Sequence, residues 1–114
     1  MEASATYKSV RISPQKARLV VDLIRGKSVS EALSILNFTK KRVTHDVEKI
    51  LRSAVSNAEQ KSENLDVDDL VVARVFVNEG PRQKRVRPAP MGRAYRYQRR
   101  TSHITVVVEA PEAK

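Results

Sequence analysis

The chain has 114 residues, 40% of them hydrophobic, no cysteine, and 22 Lys plus Arg against 13 Asp plus Glu, for a net charge of +9. That length supports one domain with a single modest core, and the lack of thiols excludes disulfides and thiolate metal sites, as a reducing compartment permits. A basic and apolar leader is missing from "MEASATYKSV", and no run approaches the ~18 apolar residues of a membrane span, so a cytoplasmic protein that makes no membrane contact is expected.

Residues Ala5 to Ile12 alternate loosely, with Tyr7, Val10 and Ile12 among polar neighbours, and predict a short strand ending at the Ser13-Pro14 pair. Ser13 is placed as a helix N-cap with Pro14 at the first helical position, where its missing N–H costs nothing. Ala17, Val20, Val21 and Ile24 then form one apolar stripe, and Gly26 supplies a left-handed stop. A second helix follows Ser28, which with Glu31 makes a capping box ahead of Val29, Ala32, Leu33 and Leu36. The third helix is the longest, its stripe running through Val43, Val47, Ile50, Leu51, Ala54, Val55 and Ala58. Three amphipathic helices need a common surface, and the β-branched runs Leu70 to Val77 and His103 to Glu109 provide it as strands. The expected class is α+β: a body over 5–80 and 101–109, an extended hairpin over 81–100 and a frayed tail over 110–114, all in a single domain.

The charge is concentrated in the hairpin. Arg82, Lys84, Arg85, Arg87, Arg93, Arg96, Arg99 and Arg100 lie between Pro81 and Arg100 with no acid among them, so eight of the 22 cations sit here and 14 are left to face 13 acids. A connection this long inside a small domain is functional or an arm in its own right. Arms of ~10 residues at ~3.3 Å each project roughly 30 Å. Pro88, Pro90 and Gly92 place the reversal in "PAPMG". Tyr95 and Tyr97 share one face of their arm, and Arg85 and Arg87 one face of theirs. With cations on both sides and no apolar side to bury, the ribbon is expected to become ordered on binding.

Seven of those eight cations are Arg, whose guanidinium forks onto phosphate oxygens, which points to RNA or DNA rather than to a solvated run of mixed sign. Tyr95 and Tyr97 are placed either as stacking platforms for unpaired bases or as plain cross-strand partners. Lys40, Lys41 and Arg42 form a second basic cluster between helices two and three, either a phosphate site or a solvated turn, and Lys16, Arg18 and Arg25 lie off the apolar stripe of the first helix as further RNA-binding candidates.

Catalysis finds little support. His45 and His103 are the two histidines, with no nucleophile, base and orienting group converging on either, and the three glycines form no phosphate-cradling loop. Asp66, Asp68 and Asp69 resemble the opening of a calcium loop, but Val71 and Val77 occupy the places of its glycine and closing glutamate, so a polar turn is expected, with no metal and no cofactor.

The segments "SPQKARLVVDLIRGKSVSEAL", "SAVSNAE", "VNEGP", "GRA" and "RTSHITVVV" occur in one order along nearly the whole chain and resemble the bacterial large-subunit ribosomal protein twenty-two family. The resemblance implies three helices packed on a small three-stranded antiparallel sheet, with a long protruding β-hairpin. It also implies a non-enzymatic protein of the large ribosomal subunit that binds large-subunit ribosomal RNA, supports its assembly and lies beside neighbouring large-subunit ribosomal proteins. In the family the hairpin lines the peptide exit tunnel, so that Pro88, Ala89, Pro90, Met91, Gly92 and Arg93 would lie nearest the nascent peptide. This chain departs from the family at the tip, where Ala89 replaces a common arginine and Pro90 adds a second proline, and again at Tyr97 and Arg99. Two other readings of the basic arm are an architectural DNA-binding protein with a β-ribbon in a minor groove and a membrane-surface or polyanion-binding module. The first lacks an obvious dimerisation helix and the second lacks large apolar residues between the cations.

Overall fold

A computed structural model describes residues 2–61, 67–88, 92 and 94–110. The first strand, β1 (Glu2–Val10), starts three residues before the expected Ala5 and ends before Arg11 and Ile12. Its sequence, EASATYKSV, has little strand character of its own. Antiparallel pairing with the last strand creates it, in register from Glu2 opposite Glu109 to Val10 opposite Ser102, and pairing of this kind is invisible to a local window. A register shift between Tyr7 and Val10 accommodates Ser9 at φ 58° and bends the chain toward the first helix.

Helix α1 (Pro14–Ile24) opens as expected on Pro14 and buries Ala17, Val20, Val21 and Ile24. The Ser13 backbone has cap geometry and its carbonyl accepts from the Ala17 N–H at 3.2 Å, but its hydroxyl makes no cap bond. Gly26 takes φ 79°, as a left-handed stop requires. In α2 (Val29–Phe38) the Glu31 N–H donates to Ser28 Oγ at 3.3 Å, one half of the capping box. Helix α3 (Arg42–Lys61) runs 20 residues and buries the expected stripe except Val55, which is half-buried at its edge, with Thr44 added to it. The acidic Asp68 and Asp69 lie in a short 3-10 turn, Val67–Asp69, and Asp66 falls outside the described residues.

Strands β2 (Val71–Glu79) and β5 (Ser102–Glu109) complete a three-stranded antiparallel sheet in the order β1-β5-β2. Ser102, Ile104, Val106 and Val108 of β5 alternate inward, and Val107, on the opposite face between Ser4 and Arg74 in the register, is also buried. Rows such as Ala3, Val108 and Val72, or Ala5, Val106 and Val75, line the core side, where α1 packs on β2 and α3 on β1 and β5. Ala110, expected in the tail, is buried with this core, while 111–114 fall outside the described residues.

The outer edge of β2 is covered. The Gly26 N–H donates to Val72 O at 2.9 Å, the Val72 N–H to Lys27 O at 2.8 Å and the Val29 N–H to Leu70 O at 3.0 Å. Further along, Arg25 Nη2 donates to Val75 O at 2.7 Å and Arg18 Nη2 to Val77 O at 3.0 Å. These contacts occupy groups that would otherwise offer a pairing template to another chain.

Past Gly80 the chain leaves the body as a separate two-stranded ribbon, β3 (Gln83–Pro88) against β4 (Ala94–Arg99). The molecule measures 70 × 26 × 16 Å, and its radius of gyration is 17.6 Å. A compact chain of this length has about 13 Å, so the excess is the signature of a projection.

Candidate nucleic-acid interface

The ribbon joins the body through a hydrogen-bonded root. The Gly80 N–H donates to Thr101 O at 2.9 Å, and Thr101 Oγ1 donates back to Pro81 O at 2.6 Å. Gly80 suits this close approach, since a Cβ there would lie 2.5 Å from Thr101 Oγ1. On the other side of the junction, Ser102 Oγ, fully buried, donates to Ile12 O at 2.7 Å and ties the bend before α1 to the start of β5.

That tie assembles a cleft of about 680 Å³ lined by Arg11, Ile12, Ser13, Lys16, Arg42, Arg99, Arg100 and Thr101. Arg11, Ile12 and Ser13 come from the bend, Lys16 from the first turn of α1, Arg42 from the start of α3, and Arg99 with Arg100 and Thr101 from the return arm of the ribbon. Five cations and no carboxylate face one space, and none of the five forms an ion pair among the described residues. Like charges gathered around a cleft raise the energy of the empty state and favour a polyanion inside it.

Residues 5–109 match the family described as ribosomal protein L22p/L17e. The chain belongs to that family. The large ribosomal subunit protein uL22 of Solibacter usitatus (strain Ellin6076) is 58% identical over 113 residues, covering 99% of this chain and 100% of the relative. The α+β body with its three helices and three antiparallel strands accords with the architecture that the family resemblance implies.

The fold thus joins Lys16, Arg42, Arg99 and Arg100, which come from three separate clusters in the sequence, and adds Arg11, which no local pattern singled out. A signal was available, because Arg11 immediately precedes the Ile12-Ser13-Pro14 stop and so had to lie at the mouth of α1. Lys40 and Lys41 are exposed in the link between α2 and α3 but do not line the cleft.

Other candidates are placed differently. Arg18 and Arg25 reach the β2 carbonyls described above, and Arg25 Nη1 also pairs with Asp22 at 2.6 Å. Arg82 pairs with Glu79 at the foot of the outgoing arm. Lys84 is exposed on β3. The backbone register of the ribbon sets Arg85 opposite Tyr97, Val86 opposite Arg96 and Arg87 opposite Tyr95. At the tip, Pro88 pairs with Ala94 and Gly92 takes φ 73°; Ala89, Pro90, Met91 and Arg93 lie outside the described residues. His45 is exposed on α3, and His103 Nδ1 accepts the Ser9 N–H at 2.9 Å, a bond within the sheet.

Proposed function

We propose that this chain is a structural component of the large ribosomal subunit, that it binds large-subunit, 23S-type ribosomal RNA and supports its assembly, and that its hairpin lines the nascent-peptide exit tunnel. The observation that carries the RNA reading is a ribbon outside the core whose window holds eight cations and no acid. Membership of the ribosomal family supplies the setting. The mechanism is charge neutralisation and shape-matching, with no bond made or broken. Arginines cancel repulsion between closely approaching phosphates, and each neutralised phosphate adds roughly 0.7 to 0.9 to the slope of log affinity against log salt. Tyr95 and Tyr97 act beside Arg87 and Arg85 in cross-strand pairs, and the tip from Pro88 to Arg93 meets the nascent chain. The body and ribbon work as one cytoplasmic, ribosome-bound domain.

Sedimentation of gently lysed cells tests the setting: the protein should travel with the large subunit and leave it only in high salt. The contact is tested by Arg85→Ala/Arg87→Ala, which should flatten the salt slope for ribosomal RNA by about 1.4 to 1.8. An unchanged slope, or tighter binding to duplex DNA than to structured ribosomal RNA in direct competition, would refute the reading.

A further inference from the structure

We infer that the cleft at the root of the ribbon is a backbone clamp: one phosphodiester segment of RNA lies in it, and its occupancy fixes the direction of the ribbon relative to the body. The inference rests on the RNA reading and adds to it a site and a consequence. Its basis is the origin of the walls. Arg11, Lys16 and Arg42 belong to the body, whereas Arg99 and Arg100 belong to the return arm.

Without an anion these two groups repel, and the repulsion acts across the junction that sets the ribbon angle. An anion between them attracts both walls, so the electrostatic term changes sign on binding and the arm is drawn toward α1 and α3. Only two connections cross this junction, residues 80–82 and 100–101, so a contact at the root acts with the full length of the ribbon as its lever. The root itself is prepared for such a load by the Gly80–Thr101 and Thr101–Pro81 bonds. The hydroxyl of Ser13, which makes no cap bond, lines the same space as an uncharged donor.

The chain contains no cysteine, so two introduced thiols can be spin-labelled uniquely. Val86→Cys on β3 and Ser30→Cys on α2 alter no charge, and both positions are exposed. Sodium tripolyphosphate at low salt is the first probe and structured ribosomal RNA the second. Each should narrow the distance distribution between the labels. Arg11→Gln/Lys16→Gln, two exposed positions, should weaken tripolyphosphate binding about tenfold through the loss of two solvent-screened charge contacts and should abolish the narrowing. Arg42→Gln, from a different element, should weaken binding in the same direction. The control Lys27→Gln/Lys49→Gln removes the same charge elsewhere and should change binding less than about twofold. Equal weakening by control and cleft variants, or a distribution that either probe leaves unaltered, overturns the clamp. If the cleft variant keeps its salt slope for RNA while Arg85→Ala/Arg87→Ala loses part of it, the RNA reading stands and the clamp falls. If neither variant alters RNA binding, the RNA reading itself falls.

Discussion

Replacing Gly80 by alanine tests whether the ribbon root is held as tightly as its geometry requires. The new Cβ would lie 2.5 Å from Thr101 Oγ1 and 3.3 Å from both the Thr101 carbonyl carbon and His103 Cε1. The first contact cannot persist, and the hydroxyl is not free to swing, because it donates to Pro81 O at 2.6 Å and Thr101 is only 5% exposed. Either the bond breaks, leaving a buried polar group unpaired at about 1–3 kcal/mol, or the two strands separate, at a similar ~1–3 kcal/mol for overpacking. About 2 kcal/mol is expected, or a fall of roughly 8 °C in the unfolding midpoint at ~4 °C per kcal/mol for a chain of this size. A double-mutant cycle isolates the cause. In a Thr101→Ala background the 2.5 Å contact has no oxygen to meet, so Gly80→Ala should cost at least ~1 kcal/mol less than in the native chain. Calorimetric or denaturant unfolding of the four proteins supplies the numbers. An equal cost in both backgrounds, or a cost below ~0.5 kcal/mol in the native one, would refute the argument that this glycine is required by close approach.

Arg25→Ala should lower stability by about 1 kcal/mol through loss of its bond to Val75 O, while leaving the salt slope for ribosomal RNA unchanged; a slope reduced by ~0.8 would place Arg25 in the RNA contact. Leu51→Ala, at a fully buried position of α3, should cost about 3 kcal/mol, read as a midpoint roughly 12 °C lower, and a shift of only a few degrees would mean that the core collapses around the cavity.

Where an element's evidence is local, the sequence shows it. The 3.6-residue stripes of α1 and α3, the serine before α2 and the positive φ at Gly26 each depend on residues within a few positions, and each is found. Strand β1 is legible only in part, expected over Ala5 to Ile12 and found over Glu2–Val10. Its inward residues are alanines too small to give a hydrophobic signal, and its boundaries follow from the register of β5, about a hundred residues away. The side-chain partners of Arg18 and Arg25 were equally hidden. Their position off the apolar stripe was legible, but only the packing of α1 beside β2 reveals carbonyls within reach.

The root cleft shows why counting charge along the chain has a limit. Outside the ribbon window the composition is almost neutral, 14 cations against 13 acids, and a neutral body has no preference for a polyanion if its charges are evenly mixed. They are not. Asp22, Glu48, Glu2 and Glu79 are spent on Arg25, Arg52, Arg74 and Arg82, whereas the space between α1, α3 and the return arm receives Arg11, Lys16 and Arg42 with no acid. Near-neutrality in composition therefore coexists with polarity in space, created by the contacts that fold the body. On the proposed reading the ribbon supplies long reach and a concentrated charge, and the root cleft a second, shape-defined contact at its foot. Two such contacts, one of which orients the arm that carries the other, would bind one folded RNA more selectively than the same charges strung along a flexible tail, because both must be satisfied by a single geometry.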